Sequence, residues 1–183
     1  MLTFTTSGSD KELLGILALQ RSNLPENLSE DEMKSQGFVT VIHDLAGLKK
    51  MNELERHVIA KDDEKIVAYL LAMTSASAAD IPVLIPMFEM FGRIEYGGRA
   101  VSEYKYIVVG QVCVGKGYRG QGVLDHCYAE YRRRMQGRYD FAITEISTRN
   151  TRSIQAHKRI GFTEVHTYKA PDGEDWSVVV WQW

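Results

Sequence analysis

Apolar positions along this chain change their spacing repeatedly, and each change marks an element. Residues 2–5 read as a short first strand. Leu13, Leu14, Ile16, Leu17 and Leu19 then follow helical spacing behind Ser7 or Ser9 as the cap, ending near Asn23-Leu24-Pro25. Residues 29–37 read as a second, short helix, with Ser29 and Glu32 at capping-box spacing. Residues 39–51 have a weak register, and another helix is one reading of them. From His57 the period becomes two: residues 57–60 and 66–72 flank the polar turn Lys61-Asp62-Asp63-Glu64-Lys65, a hairpin signal. Residues 104–114 read as a long strand. Leu124, Cys127, Tyr128, Tyr131 and Met135 then recur on one helical face as far as Gly137. Residues 141–146 read as a strand and 151–160 as a helix stopped by Gly161. Residues 162–168 and 176–183 close the chain as a strand pair across Pro171-Asp172-Gly173.

One stretch stands outside this rhythm. Residues 74–103 separate two strands and are long for a loop. The run Ile85-Pro86-Met87-Phe88-Glu89-Met90-Phe91 inside them predicts one or two turns of helix. Two readings stand, a functional cover and a satellite cluster under the sheet. No repeat, low-complexity tract or linker divides the chain, so residues 1–183 are read as one mixed α/β (α+β) domain.

Composition narrows the function classes. Lys and Arg number 22 against 24 Asp and Glu, a net charge of −2, so nucleic acid is not an expected partner. Arg132-Arg133-Arg134 falls on a predicted helix whose other side is apolar and reads as a solvated face. The cysteines, Cys113 and Cys127, form no CxxC or Cys/His cluster, so no metal site is expected and each reads as a small buried apolar residue. The first ten residues lack a basic region followed by an apolar core. No apolar run approaches the roughly 18 residues of a membrane span. A cytoplasmic protein without membrane partners is the expectation.

The chemistry concentrates at Val112-Cys113-Val114-Gly115-Lys116-Gly117-Tyr118-Arg119-Gly120-Gln121-Gly122-Val123-Leu124. A strand stops at a basic, glycine-dense turn and a helix starts at once. Glycines admit close backbone approach, free N–H groups point outward and the helix dipole adds positive charge, which together suit a phosphate. Gly115-x-Gly117-x-x-Gly120 formally matches the dinucleotide fingerprint, with Asp140 about twenty residues on. In that fold the acidic residue ends its strand, whereas Asp140 precedes one. The dinucleotide reading is therefore disfavoured.

Read as Arg119-Gly120-Gln121-Gly122-Val123-Leu124, with the lead-in from Val114 to Tyr118, the turn resembles the acyl-CoA motif of the GCN5-related N-acetyltransferase (GNAT) superfamily. A second stretch resembles it too, through Asn150, Ser153, Gly161 and Phe162. The resemblance is most specific over residues 104–162. It implies a GNAT-like fold, a central mixed, mostly antiparallel sheet flanked by helices, here with residues 74–103 inserted between the third and fourth strands. It implies that Arg119, Gly120, Gln121, Gly122, Val123 and Leu124 hold the CoA pyrophosphate, that strand amides near Cys113 and Val114 serve the pantetheine and thioester, and that Asn150 and Ser153 lie near the pantetheine arm. Leu124 departs from the usual Gly or Ala, and either displaces the helix start or points into the core.

His157 stands where many relatives carry a tyrosine that protonates the leaving thiolate, with a buried, hydrogen-bonded helix residue as the other reading. For the base that accepts the amine's proton the candidates are Glu145, Tyr106, Glu103 and Tyr104, with Gln111 able to hold the acceptor or a water. His43, His57, His126 and His166 are scattered and read as structural. The implied activity moves acetyl from acetyl-CoA, used as a cosubstrate without a metal, to a primary amine of a small molecule or peptide by direct attack in a ternary complex. The alternative is a non-catalytic acyl-CoA-binding module, and a weaker one is a different acyl group or an oxygen acceptor. For the Trp-rich C-terminal strand, pairing across a homodimer and plain core are both open.

Overall fold

The computed structural model describes residues 1–183, the side chains of Ala79, Asp80 and Val83 excepted. β1 (Leu2–Thr6) leads into α1 (Asp10–Arg21), where the Ser9 hydroxyl accepts the Glu12 amide and the Glu12 carboxylate returns to the Ser9 amide. Two orphan donors are thus satisfied reciprocally. The same box, Ser29 with Glu32, starts α2 (Glu30–Gln36). α3 (Leu45–Leu54) begins only after Asp44, whose Oδ1 accepts the Gly47 amide at 2.7 Å. The β-branched run Val39-Thr40-Val41-Ile42 before it carries no helix.

β2 (Val58–Asp62) and β3 (Lys65–Met73) form the expected hairpin, with Asp63 at φ 50° in its turn. Residues 74–103 hold α4 (Ile85–Phe91) and a small hairpin, β4 (Glu95–Tyr96) with β5 (Arg99–Ala100), turned at Gly97-Gly98. Both glycines have positive φ, as such a turn requires. Met87, Phe91, Ile94 and Val101 of this segment are buried, and Tyr96 meets Phe141 edge-on at 5.1 Å. The segment therefore packs as part of the core.

β6 (Ile107–Val114) is shorter than the expected 104–114. Lys105 donates its amide to Asp140 Oδ2 and accepts the Asp140 amide, both at 2.8 Å, and Tyr104 O–H donates to the Tyr96 carbonyl at 2.7 Å. These loop bonds hold the chain outside the sheet until Tyr106. α5 (Val123–Met135), β7 (Phe141–Ser147), α6 (Thr151–Ile160), β8 (Thr163–Lys169) and β9 (Asp175–Gln182) follow close to the expected bounds.

The main sheet runs β1-β2-β3-β6-β7-β9-β8, antiparallel throughout except for β6 beside β7. Because β9 lies between β7 and β8, both its edges are occupied. From Trp176 to Val180 the strand is sheet interior and offers no edge for pairing with a second copy. One sheet face packs on α1, α3 and the 85–101 segment, through Ile16, Leu48, Met51, Tyr69, Phe91 and Phe141. The other packs on α5 and α6, through Leu70, Val109, Cys127, Tyr128, Phe162 and Trp181. Arg133 and Arg134 stay on the solvated side of α5, paired with Glu130.

Gly15 sets how closely α1 approaches β3: a Cβ there would lie 2.5 Å from Ile66 Cγ1. Gly15→Ala gains helix propensity but overpacks this seam, so we expect a net loss of about 1–3 kcal/mol, read as a lower urea midpoint with unchanged m.

Candidate active site

The site begins where β6 and β7 part. Their parallel ladder holds only at Ile107–Ala142 and Val108–Ile143. Beyond it β6 carries an extra residue relative to β3, since Leu70 opposes Val112 while Ala72 opposes Val109. Such a bulge bends a strand away from its neighbour. Gly110, in the bulge, is pressed on Met73, whose Cε would lie 2.6 Å from an added Cβ. Thr144 Oγ1 donates to the Val109 carbonyl at 2.7 Å and so closes the fork's root. The Gly115 amide donates to the Val67 carbonyl at 2.8 Å. By strand alternation the amides of Gly115 and Cys113 face β3, and those of Val112 and Val114 face the fork.

The glycine turn shapes the fork's upper end. Gly120 and Gly122 both have φ 74°, a left-handed backbone that side chains disfavour. Gly122 is the N-cap of α5 and brings no side-chain cap, so the amides of Val123, Leu124 and Asp125 have no partner within the helix. Arg119 turns back as a clamp, with Nε donating to the Val114 carbonyl at 2.8 Å and Nη2 to Asn23 Oδ1 at 2.5 Å. Asn150 caps α6 by accepting the Ser153 amide at 3.2 Å and donates Nδ2 to the Phe38 carbonyl at 3.0 Å. This ties the loop after α2 across the fork. Together these residues line a cleft of about 730 Å³ that includes Arg119, Gly120, Gly122, Val123, Leu124, Cys113, Val114, Asn150 and Ser153. Leu124 packs on the α5 side of the core while bordering the cleft, and α5 starts at Val123 directly after Gly122. Gln121 donates to the Gly117 carbonyl at 2.8 Å and braces the turn.

A smaller hollow of about 80 Å³ opens off the cleft and shares Phe38, Val39, Val112, Asn150, Ser153 and His157 with it. Glu145 lies in its wall. Burial raises the Glu145 carboxyl to about 7, opposed by a hydrogen bond from Tyr168 and reinforced by the charge of Asp172. The Tyr168 O–H donates to Glu145 Oε2 at 2.5 Å. His157 is 3% exposed and lies between two fixed partners. Nδ1–H donates to the Ser153 carbonyl at 2.8 Å, which leaves Nε2 to accept the Tyr128 O–H at 2.7 Å. Burial lowers this ring to about 4, so it is neutral, and its one N–H is spent on Ser153.

The other candidates lie apart. Tyr106 sits at the closed root of the fork, stacked on Phe141 at 6.3 Å and edge-on to Phe91, and lines neither hollow. Tyr104 and Glu103 lie at that end too, and among the described residues none of 74–103 lines either hollow. Gln111 borders the small hollow, but its amide is committed: Nε2 donates to Val41 and Oε1 accepts the Tyr69 O–H. Phe38, Tyr168 and Trp176 are the residues sequence reading missed. Tyr168 and Trp176 fall in the strand pair read at the end of the chain, while Phe38, in the loop after α2, carries no cue.

Three buried histidines give the site and its surroundings a pH signature. His57 accepts the Ala72 amide and donates to the Leu48 carbonyl, while His43 is buried beside Gln20. Burial lowers both, like His157, from 6.5 to about 4. The unfolded chain therefore binds more protons between those values, and stability present above pH 6.5 is lost as pH falls toward 4. Glu145, raised from 4.5 to about 7, acts in the opposite sense over its own window. At pH 5 each histidine costs on the order of 2 kcal/mol, so three outweigh one carboxylate. Urea midpoints measured at pH 7.5 and pH 5 should show a clear net drop at the lower pH.

A family model described as the acetyltransferase (GNAT) family matches residues 15–162. The chain belongs to this family. No curated protein sequence matches it. Among solved structures, the GNAT fold is shared with Arabidopsis thaliana NAA60 in complex with a bisubstrate analogue, at TM-score 0.66 and 13% identity over 100% of this chain and 98% of that one. It is also shared with the ribosomal-protein-S18-alanine N-acetyltransferase of Escherichia coli, at TM-score 0.64 and 13% identity over 100% and 94%. The NatC complex bound to Gag peptide and CoA matches at TM-score 0.62 and 11% identity, over 100% and 98%. GNAT membership supports acyl-CoA-dependent acetyl transfer in general. The geometry fits such a ligand: uncapped helix amides, two left-handed glycines and a cleft leading from them along the open edge of β6. Among the described residues no cluster of His, Cys, Asp and Glu could hold a metal, and no helix is long and apolar enough to cross a membrane.

Proposed function

We propose that this GNAT chain transfers acetyl from acetyl-CoA to a primary amine by direct attack while both are bound. The observation that carries the reading is Glu145, a half-buried carboxylate raised to about 7 in a hollow that opens off the cleft. An amine attacks only as the free base, and most amines are protonated at pH 7. A group that titrates near neutrality at this position suits the removal of that proton. Among the described residues no Lys or Arg lines the hollow, which favours an amine without a carboxylate beside it.

Acetyl-CoA supplies the activated acyl group. The chain's part is to bind and orient it. The turn from Arg119 to Leu124 and the uncapped α5 terminus would hold the pyrophosphate, with Asn150 and Ser153 along the pantetheine path. The fork-facing amides of Val112 and Val114 are the donors available to the thioester oxygen. Cys113 and Cys127 are buried thiols pushed up to about 12, unsuited to carrying the acyl group, which favours direct transfer over an acyl-enzyme. The bonds around His157 suit a supporting part, holding Ser153 and Tyr128, rather than proton donation. A leaving thiol of pKa about 8.5 needs little help.

The test is calorimetry with acetyl-CoA followed by thiol release on a panel of primary amines. Binding with amine-dependent CoA release supports the proposal. Binding without release on any amine favours the non-catalytic module, and no binding by folded protein overturns both.

A further inference from the structure

We propose that Tyr168 is the positioning residue of Glu145: its phenol holds the carboxylate in the proton-accepting form and fixes its orientation toward the acceptor. This rests on the reading of Glu145 as the base. The arrangement is not a local accident of neighbouring strands, because β9 lies between β7 and β8. Glu145 opposes Val178, Ser147 opposes Trp176, and Trp176 in turn opposes Tyr168. The Tyr168 side chain crosses β9 diagonally on one sheet face to reach Glu145 Oε2 at 2.5 Å. Three strands in register are needed to make one hydrogen bond.

The hairpin that carries Tyr168 is tied to the end of β7. Ser147 Oγ bonds the Glu174 carboxylate, and Arg149 grips it with Nε at 3.1 Å and Nη2 at 2.7 Å. The Thr148 amide adds a bond to the Asp175 carbonyl at 2.9 Å. Tyr168 thus has a defined place, and its ring rests against His166, centroids 6.4 Å apart. A phenol donating to a carboxylate favours the ionised form, since the bond is stronger to the charge than to the neutral acid. It also removes rotational freedom from a side chain that must meet an amine at hydrogen-bond distance.

The groups around Glu145 leave Tyr168 as its one direct donor among the described residues. Asp172, in the turn between β8 and β9, acts through its charge and disfavours the carboxylate. From α6, His157 is neutral and committed to Ser153 and Tyr128. The loop wall, Phe38 to Val41, has no titratable side chain. From β6 comes Gln111, which borders the hollow and accepts the O–H of Tyr69, a phenol kept protonated by burial.

The test compares wild type, Tyr168→Phe and Glu145→Gln in pH profiles of kcat/KM on one acceptor, so that its own ionisation is common to all three. A Glu145 carboxyl titration by carbon-13 NMR accompanies the profiles and reads the pair without turnover. Phenylalanine keeps the ring and removes only the donor. Loss of a hydrogen bond to a charged group should raise the acid limb by about one to two units. Activity at pH 7 then falls about 5- to 50-fold and recovers at high pH, and the NMR titration shifts by the same amount. Loss of packing alone would lower activity equally at every pH. If Glu145→Gln abolishes the limb while Tyr168→Phe leaves limb and titration in place, the Tyr168 proposal fails and the base stands. If Glu145→Gln keeps the limb, the base reading itself fails.

Discussion

Glu145→Gln should lower kcat by about 10²–10⁴-fold while leaving acetyl-CoA affinity within about twofold of wild type. The split follows from where the residue stands. Glu145 borders the small hollow and not the cleft that would hold the cofactor, so its charge matters to the acceptor's proton rather than to CoA. Glutamine is nearly isosteric and still accepts the Tyr168 O–H through Oε1, so the wall keeps its shape. Stability should not fall. Burial raises the Glu145 carboxyl from 4.5 to about 7, so its ionisation costs the folded state on the order of 1–3 kcal/mol as pH rises through that window. Removing it makes the variant equal to or more stable than wild type at pH 8. A large loss of turnover therefore cannot be ascribed to unfolding. A loss below about tenfold would mean that solvent takes the proton, and would return Glu145 to a wall residue.

The elements were legible wherever local rules decide them. The boxes at Ser9–Glu12 and Ser29–Glu32 start α1 and α2 as their spacing requires, and the stripe from Leu124 to Met135 lies on one face of α5. The glycine turn was legible for the same reason, because glycine is the residue that tolerates the positive φ found at Gly120 and Gly122. The fork was not. It depends on an extra residue in β6, and nothing in Ile107 to Val114 marks it except Gly110, whose need arises from Met73 on another strand. Period two assigns Tyr106 and Glu145 to strands but cannot say at which end of a diverging pair each falls. Tyr106 lies at the closed root and Glu145 beside the opening. Tyr168 was invisible as a partner because its link to Glu145 runs through the register of β9, which local sequence does not state. His157 was ambiguous until Ser153 and Tyr128 fixed both ring nitrogens.

Gly122→Glu should weaken acetyl-CoA binding at least about 100-fold, with the fold intact by circular dichroism. Two effects meet at this position. The backbone stands at φ 74°, where any L side chain costs roughly 1–2 kcal/mol. The second effect is electrostatic: a carboxylate would sit over the amides of Val123, Leu124 and Asp125, which have no partner within the helix. It would repel a pyrophosphate, and by folding back it would cap the helix and occupy the phosphate's place. Gly122→Ala separates the two. An alanine Cβ meets His126 Nδ1 at 3.7 Å, an ordinary contact, so that variant carries the backbone strain without the charge. Both variants should lose similar stability, and the alanine should lose no more than about tenfold in affinity. The remainder belongs to charge, and raising the salt concentration should recover part of it for the glutamate variant alone. Equal affinities for Ala and Glu would show strain in the turn to be the whole effect. Wild-type affinity in the Glu variant would put the phosphates elsewhere and leave Arg119 to Leu124 as a turn that only starts a helix.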